Sequence, residues 1–176
     1  MTKTKSHRAI VDMVLFAILG SVLFAGKLAF EALPNIHPVT MLIMLYTVVF
    51  GWRALIPVGV FVAISGVFYG FSIWWLPQIY IWFVYVVLTT LIPKKIPHKA
   101  AAVVYPLVCG FFGLIYGTLY APGQALLFGY NASQTLKWIA AGLPFDAIHA
   151  LGNLGMGLLI LPLSVVLKKL YEKIIQ

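Results

Sequence analysis

The chain has 176 residues, of which 62% are hydrophobic and 9% charged, and a formal net charge of +8. Soluble domains carry about a quarter charged residues, so this composition excludes an ordinary soluble enzyme, a disordered tail and a nucleic-acid-binding domain. One cysteine, Cys109 in an apolar run, leaves no internal disulfide and puts a thiolate metal site out of reach.

A bilayer-crossing helix needs about 20 mostly apolar residues, because backbone groups find no partner in hydrocarbon. Apolar runs between charges and Pro/Gly breaks predict one all-α integral membrane domain over residues 1–176, a compact bundle of six spans. These cover residues 10–32, 38–51, 54–71, 76–92, 101–121 and 144–167. The first follows Lys3, Lys5 and Arg8, and Asp12 near its start complements the helix dipole. Its length and Asp12 argue against a cleaved leader. Ala17, Ser21 and Ala25 recur every four residues along it as a strip of small side chains, fit either for packing within the chain or for docking to another membrane protein. Near its far end Lys27 and Glu31 are spaced to pair at i, i+4. A loop at 31–38 holding Asn35 and His37 leads into the short second span, and Arg53 separates the second span from the third.

Gly66 and Gly70 in the third span and Gly110, Gly113 and Gly117 in the fifth read as close helix contacts. Between the third and fourth spans a second loop at 71–78 contains Trp74 and Trp75, and Tyr80 opens the fourth span. Lys94, Lys95 and Lys99 follow it. A third loop is expected from Tyr120 through Gln124, Tyr130, Asn131 and Gln134 to Trp138. In the sixth span Asp146, His149 and Asn153 stand at i, i+3 and i+7, on one helix face, with Pro144 at a first-turn position and Asp146 near the positive end of the dipole. Two readings stay open for this triad: the wall of a wet pocket, or a local fastening in which Asp146 caps the helix and bonds His149. Lys168, Lys169 and Lys173 follow the span.

Charge sets the expected orientation. Ten cations lie at one set of segment ends, against Lys27 and Lys137 at the other. The positive-inside rule therefore puts both termini in the cytoplasm, as an even number of spans requires. Trp74, Trp75, Trp82 and Trp138 fall on or near the outer side and only Trp52 on the inner, an asymmetry that points to an outward-facing pocket rather than a simple aromatic belt. No phosphate-binding Gly-rich loop, His-Glu-x-x-His or Gly-x-Ser-x-Gly occurs. His7 and His98 lie on the inner side and cannot join His37 and His149 at a metal. A binding subunit, a stand-alone carrier or channel, and an enzyme using Asp146 and His149 as an acid–base pair all remain compatible with these residues.

Two stretches, LPNIHPVTMLIMLYTVVFG at 33–51 and PFDAIHALGN at 144–153, resemble substrate-binding S components of energy-coupling-factor (ECF) vitamin transporters, and size, span count and basic character fit that family over the chain. The resemblance implies a non-enzymatic subunit of the bacterial cell membrane that captures a vitamin near the outer face. A transmembrane coupling protein and two ATPase subunits would hydrolyse the ATP. Among such subunits the chain is most similar to those for cobalamin; folate, pantothenate and a queuosine precursor are alternatives. No cofactor of its own is implied beyond the bound vitamin. The expected ligand contacts are Asn35, His37, Trp74, Trp75, Tyr80, Tyr120, Tyr130, Asp146, His149 and Asn153. The family's small-residue docking strip maps onto Ala17, Ser21 and Ala25, with serine where alanine is usual and Gly20 beside it.

Overall fold

Apolar runs punctuated by Gly and Pro become helices here because a helix satisfies its own backbone groups without water. The computed structural model describes residues 5–93 and 95–175, so Lys3 and Lys94 lie outside the described residues. In chain order come α1 (Lys5–Ala29), α2 (Val39–Phe50), a 3-10 turn (Gly51–Ala54), α3 (Leu55–Tyr69), α4 (Leu76–Thr90), α5 (His98–Phe128), α6 (Ala132–Gly157) and α7 (Ile160–Ile175), with no strand among the described residues. His7–Ala29, Val39–Tyr69 and His98–Phe128 are long and apolar enough to cross a membrane. The pair α6 and α7, bent by 52°, makes a fourth if counted as one span, and α4 is apolar but shorter.

The stretch Val39–Tyr69 doubles back on itself. The Pro38 ring lies against Gly26 on α1, while Phe24, half a turn away, meets the Phe68 ring at 5.2 Å. Residues 38 and 68 would stand roughly 45 Å apart on one straight helix. The reversal occurs at Gly51, whose φ of 61° is open to glycine and strained for other residues. Both α2 and α3 therefore line α1, in opposite directions. Phe16 packs on Phe50 and Tyr46 donates to the Leu19 carbonyl at 3.2 Å, while Gly20 seats against Val60 and Pro57.

Nine of the twelve α2 residues are buried, and α2 touches α1, α4, α5, α6 and α7. A helix that is apolar all round belongs at the centre, and at about 18 Å long it is sheathed by longer neighbours. Two buried threonine hydroxyls on α2 and α4 are satisfied locally, Thr47 donating to the Ile43 carbonyl and Thr89 to that of Tyr85, whereas the Thr40 hydroxyl on α2 has no partner.

Several sequence expectations are corrected. Residues 120–138 are no loop: α5 runs on to Phe128, and α6 starts at Ala132 after a tight turn. Gly129 closes α5 in the left-handed region, and Asn131 with Gln134 forms a reciprocal capping box that starts α6. Pro144 therefore lies inside α6 rather than in its first turn. The expected span at 144–167 is broken at Leu158 and Leu159, beyond which α7 turns away. Gly157 sits against the Pro106 backbone there, and Pro162 offers no N–H to prolong α6.

Asp12 is not a simple dipole complement. Its carboxylate accepts from Arg53 at 2.5 Å and from the Tyr171 hydroxyl at 2.7 Å, joining α1, the 3-10 turn and α7. Lys27 and Glu31 do not pair directly either: Lys27 lies over the Tyr69 ring at 4.2 Å, and Glu31 accepts from the Tyr69 hydroxyl. The bundle thus has a lysine-rich end, with the Asp12–Arg53–Tyr171 clasp, and an aromatic end. Ala17, Ser21 and Ala25 are exposed on α1 among the exposed Met13, Val14, Ile18 and Val22, whereas Gly20 faces inward against α3.

Candidate functional site

The pairing of α5 with α6 is the most extensive in the molecule, and glycine makes it possible. A methyl group on Gly113 would come within 2.9 Å of the Ala150 backbone, one on Gly117 within 2.5 Å of Asp146 Oδ2, and one on Gly110 within 2.5 Å of Leu154. Because the backbones approach so closely, Asp146 Oδ1 accepts the Gly117 N–H at 3.0 Å. Asp146 thus fastens α6 to α5 from mid-helix and does not cap its own helix. His149, one turn on, makes no hydrogen bond to Asp146. Its ring lies edge-on to Tyr116 at 5.1 Å and to His37 at 5.2 Å. Asn153 follows, buried against Gly113.

Residues from other elements close on this face. Asn35, with a φ of 58°, makes the turn that carries His37 over α6. Trp82 on α4, expected near the outer surface, is buried and reaches Tyr116 at 5.7 Å and Phe112 at 6.0 Å. Tyr120 lies over Trp138 at 6.4 Å and Trp74 at 6.2 Å, and its hydroxyl donates to the Trp74 carbonyl. Tyr80 donates to the Leu119 carbonyl at 2.7 Å. The structure thus brings His37, Trp74, Tyr80, Tyr120, Asp146, His149 and Asn153 to one end of the bundle. Trp75 is turned toward α3, where its indole donates to the Val62 carbonyl, and Tyr130 stacks on Phe128 at the hairpin tip.

The sequence reading placed Trp82 and Gln124 toward the outer side without counting them as ligand contacts, and it missed Tyr116 altogether. A signal existed: Gly113, Tyr116, Gly117, Tyr120 and Gln124 recur at three- and four-residue steps along one face of α5. The glycines had only a packing meaning until α6 was set against them.

Six buried polar atoms here make no hydrogen bond: His37 Nδ1, Trp82 Nε1, Gln124 Nε2, Asp146 Oδ2, His149 Nε2 and Asn153 Nδ2. Trp82, Gln124, Asp146, His149 and Asn153 are each more than nine-tenths buried. An unmet buried donor or acceptor costs about 1–3 kcal/mol, so the cluster is a concentrated reserve of unused hydrogen-bonding capacity. Burial, reinforced by the Lys27 charge, pulls the His37 pKa down to about 4, keeping that ring neutral. No three His, Cys, Asp or Glu side chains converge to hold a metal among the described residues. Cys109 is buried against Tyr85 and Met44.

Two cavities flank the core. One of about 270 Å³ at the aromatic end is lined by Lys27, Ser65, Tyr69, Trp74, Trp75 and Gln78 among others. A larger one of about 750 Å³ opens at the lysine-rich end between α2, α4, α5 and α7, with Arg53, Thr90, Tyr105, Ser164 and Lys168 on its walls. No protein-family model, curated protein or solved structure matches the chain.

Proposed function

We propose that the chain is the substrate-binding S component of an ECF-type importer for a vitamin-class micronutrient. In this reading α1 to α4, the α5 hairpin arm and α6 make six crossings, both termini are cytoplasmic, and the aromatic end faces outward. The placement of Arg53 and Lys168 at one end and Lys27 and Lys137 toward the other supports that orientation. The observation that carries the reading is the buried polar and aromatic cluster at the aromatic end. It is mounted on the rigid α5–α6 pair, where a binding group can be held in place. The exposed strip Ala17, Ser21 and Ala25 is smooth enough for the helix of a coupling protein to approach. Two partner ATPases would supply the energy by shifting the subunit between two states.

Purification from native membranes tests this. The expected result is co-purification of a coupling protein and two ATPases, together with a small organic ligand found by mass spectrometry. Cobalamin is the first ligand to try, on the family resemblance. A lone chain that retains nothing would refute the assignment.

A stand-alone carrier is the second reading, favoured by the 750 Å³ cavity at the end opposite the cluster. Solute uptake by the purified chain in liposomes without ATP would select it.

A further inference from the structure

We infer that the cavity at the lysine-rich end seats the phosphate headgroup of an anionic membrane lipid. The inference goes beyond the importer reading and does not depend on it, since it concerns the opposite end of the bundle and needs no partner subunit.

The walls carry donors and no acid. Arg53, His98 and Lys168 line the cavity, and no carboxylate does among the described residues. Lys168 forms no ion pair among those residues. Arg53 gives one N–H to Asp12 and one to Tyr171. A guanidinium has five N–H donors, so the clasp fixes its direction without exhausting it. Asp12 lies on α1 outside the walls and offsets part of the Arg53 charge, and Lys168 adds a second cation.

The helix that forms one wall contributes twice. At His98 α5 begins on the cavity with no side-chain cap. Its first-turn N–H groups and the positive end of a 31-residue helix therefore add to the attraction for an anion. Two turns on, Tyr105 lines the same cavity at only 6% exposure, and its hydroxyl bonds to no described residue. A hydroxyl so enclosed finds an acceptor only in what enters the cavity. The wall hydroxyls of Thr90 and Ser164, by contrast, already donate to carbonyls of their own helices. Phosphate oxygens accept from several charged and neutral donors at once, which matches this set.

Size and position choose the carrier of the phosphate. About 750 Å³ is the volume of a whole-ligand pocket rather than of one inorganic ion. Val48, Ile92, Leu161 and Val165 supply apolar wall beside the donors. Val165 and Trp52 are themselves exposed, so acyl chains can leave over them into the bilayer. A basic space between helices, at the end bearing Lys95, Lys99, Lys168 and Lys169, is where an anionic leaflet meets the protein. A lipid seated there also fills the cavity that the carrier reading relies on.

The test is native mass spectrometry of the full chain purified in detergent, with phosphatidylglycerol and phosphatidylcholine of identical acyl chains as probes. Inorganic phosphate and ATP are added as soluble sources of the same chemistry. One phosphatidylglycerol is expected to be held about tenfold or more tightly than phosphatidylcholine, and neither phosphate nor ATP at equal concentration should displace it. Lys168→Gln should weaken phosphatidylglycerol by about three- to tenfold, whereas Lys169→Gln, a neighbouring cation off the walls, should stay within about twofold. Tyr105→Phe removes only the enclosed donor and should weaken it by about three- to tenfold. Phosphatidylcholine binding should be the same in all three variants, and an unchanged melting temperature without lipid reports that each fold is intact. Equal affinity for the two lipids, equal effects at 168 and 169, or no effect of Tyr105→Phe would overturn the site. Displacement by phosphate or ATP would make a soluble anion the occupant and overturn the lipid. Failure to recover ATPases would remove the importer reading without touching this titration.

Discussion

At position 117 the absence of one methyl group lets a carboxylate on α6 reach a backbone N–H on α5. Gly117→Ala would drive a carbon to within 2.5 Å of Asp146 Oδ2, and overpacking of this kind costs about 1–3 kcal/mol. Its melting temperature in detergent should fall by several degrees, whereas Gly59→Ala, where a methyl meets nothing within 4 Å, should leave it nearly unchanged. His37 provides a second handle at this scale. Its pKa is lowered from 6.5 to about 4 by burial, so the closed position of the 30–38 segment favours the neutral ring. The stabilisation is fully present above pH 6.5 and is lost as pH falls toward about 4. The opening of residues 30–38 read from hydrogen exchange, once corrected for the pH dependence of the intrinsic exchange rate, should therefore increase between pH 7 and 5, and much less so in His37→Gln. An equal increase in both proteins would place the titrating group elsewhere.

Among the elements, α1 has two faces with different duties. Its inward face is shaped for α3, with Gly20 against Val60, and its outward face carries Ala17, Ser21 and Ala25 among larger exposed apolar side chains. Ser21 donates to the Ala17 carbonyl at 3.0 Å, so even the polar member of the strip is smooth toward its surroundings. On the proposed importer reading, Ala17→Leu combined with Ala25→Leu should abolish ATP-driven uptake in reconstituted complexes and leave ligand affinity within about twofold, because the strip is exposed on the outer face of α1. Parallel loss of binding would show that the strip acts within the chain. The helix pairs also differ in how readily the sequence discloses them. The apolar runs of α2, α3 and α4 are bounded by charges, Pro and Gly, so their extents follow closely from the pattern. The α5–α6 hairpin continues through polar residues because a capping box and tight packing hold it, and an apolar-run criterion stops short of both.

For the whole molecule the decisive property is the separation of a lysine-rich end from an aromatic end. Single cysteines report it directly. In a Cys109→Ser background, Gly129→Cys at the hairpin tip and Lys169→Cys on α7 should label from opposite sides of sealed cells, with position 129 reached by an impermeant reagent from outside. Labelling of both from one side would overturn the crossing pattern. The clasp of Asp12, Arg53 and Tyr171 ties α1 and α7 together near the 3-10 turn, so the lysine-rich end is held by polar contacts while the aromatic end holds unused ones.

Composition and run length by themselves determined the helical class, the lipid-facing character and the expected direction of the chain, because hydrophobicity and charge act residue by residue and add along the sequence. The Asp146, His149 and Asn153 face was equally legible, since 3.6-residue periodicity is local. Which surface that face meets was not. Tyr116 meets it because three glycines let α5 and α6 touch, Trp82 reaches Tyr116 from α4, and at the break before α7 Gly157 meets Pro106. Such contacts depend on pairs of residues distant in sequence, and only the packed structure brings them together.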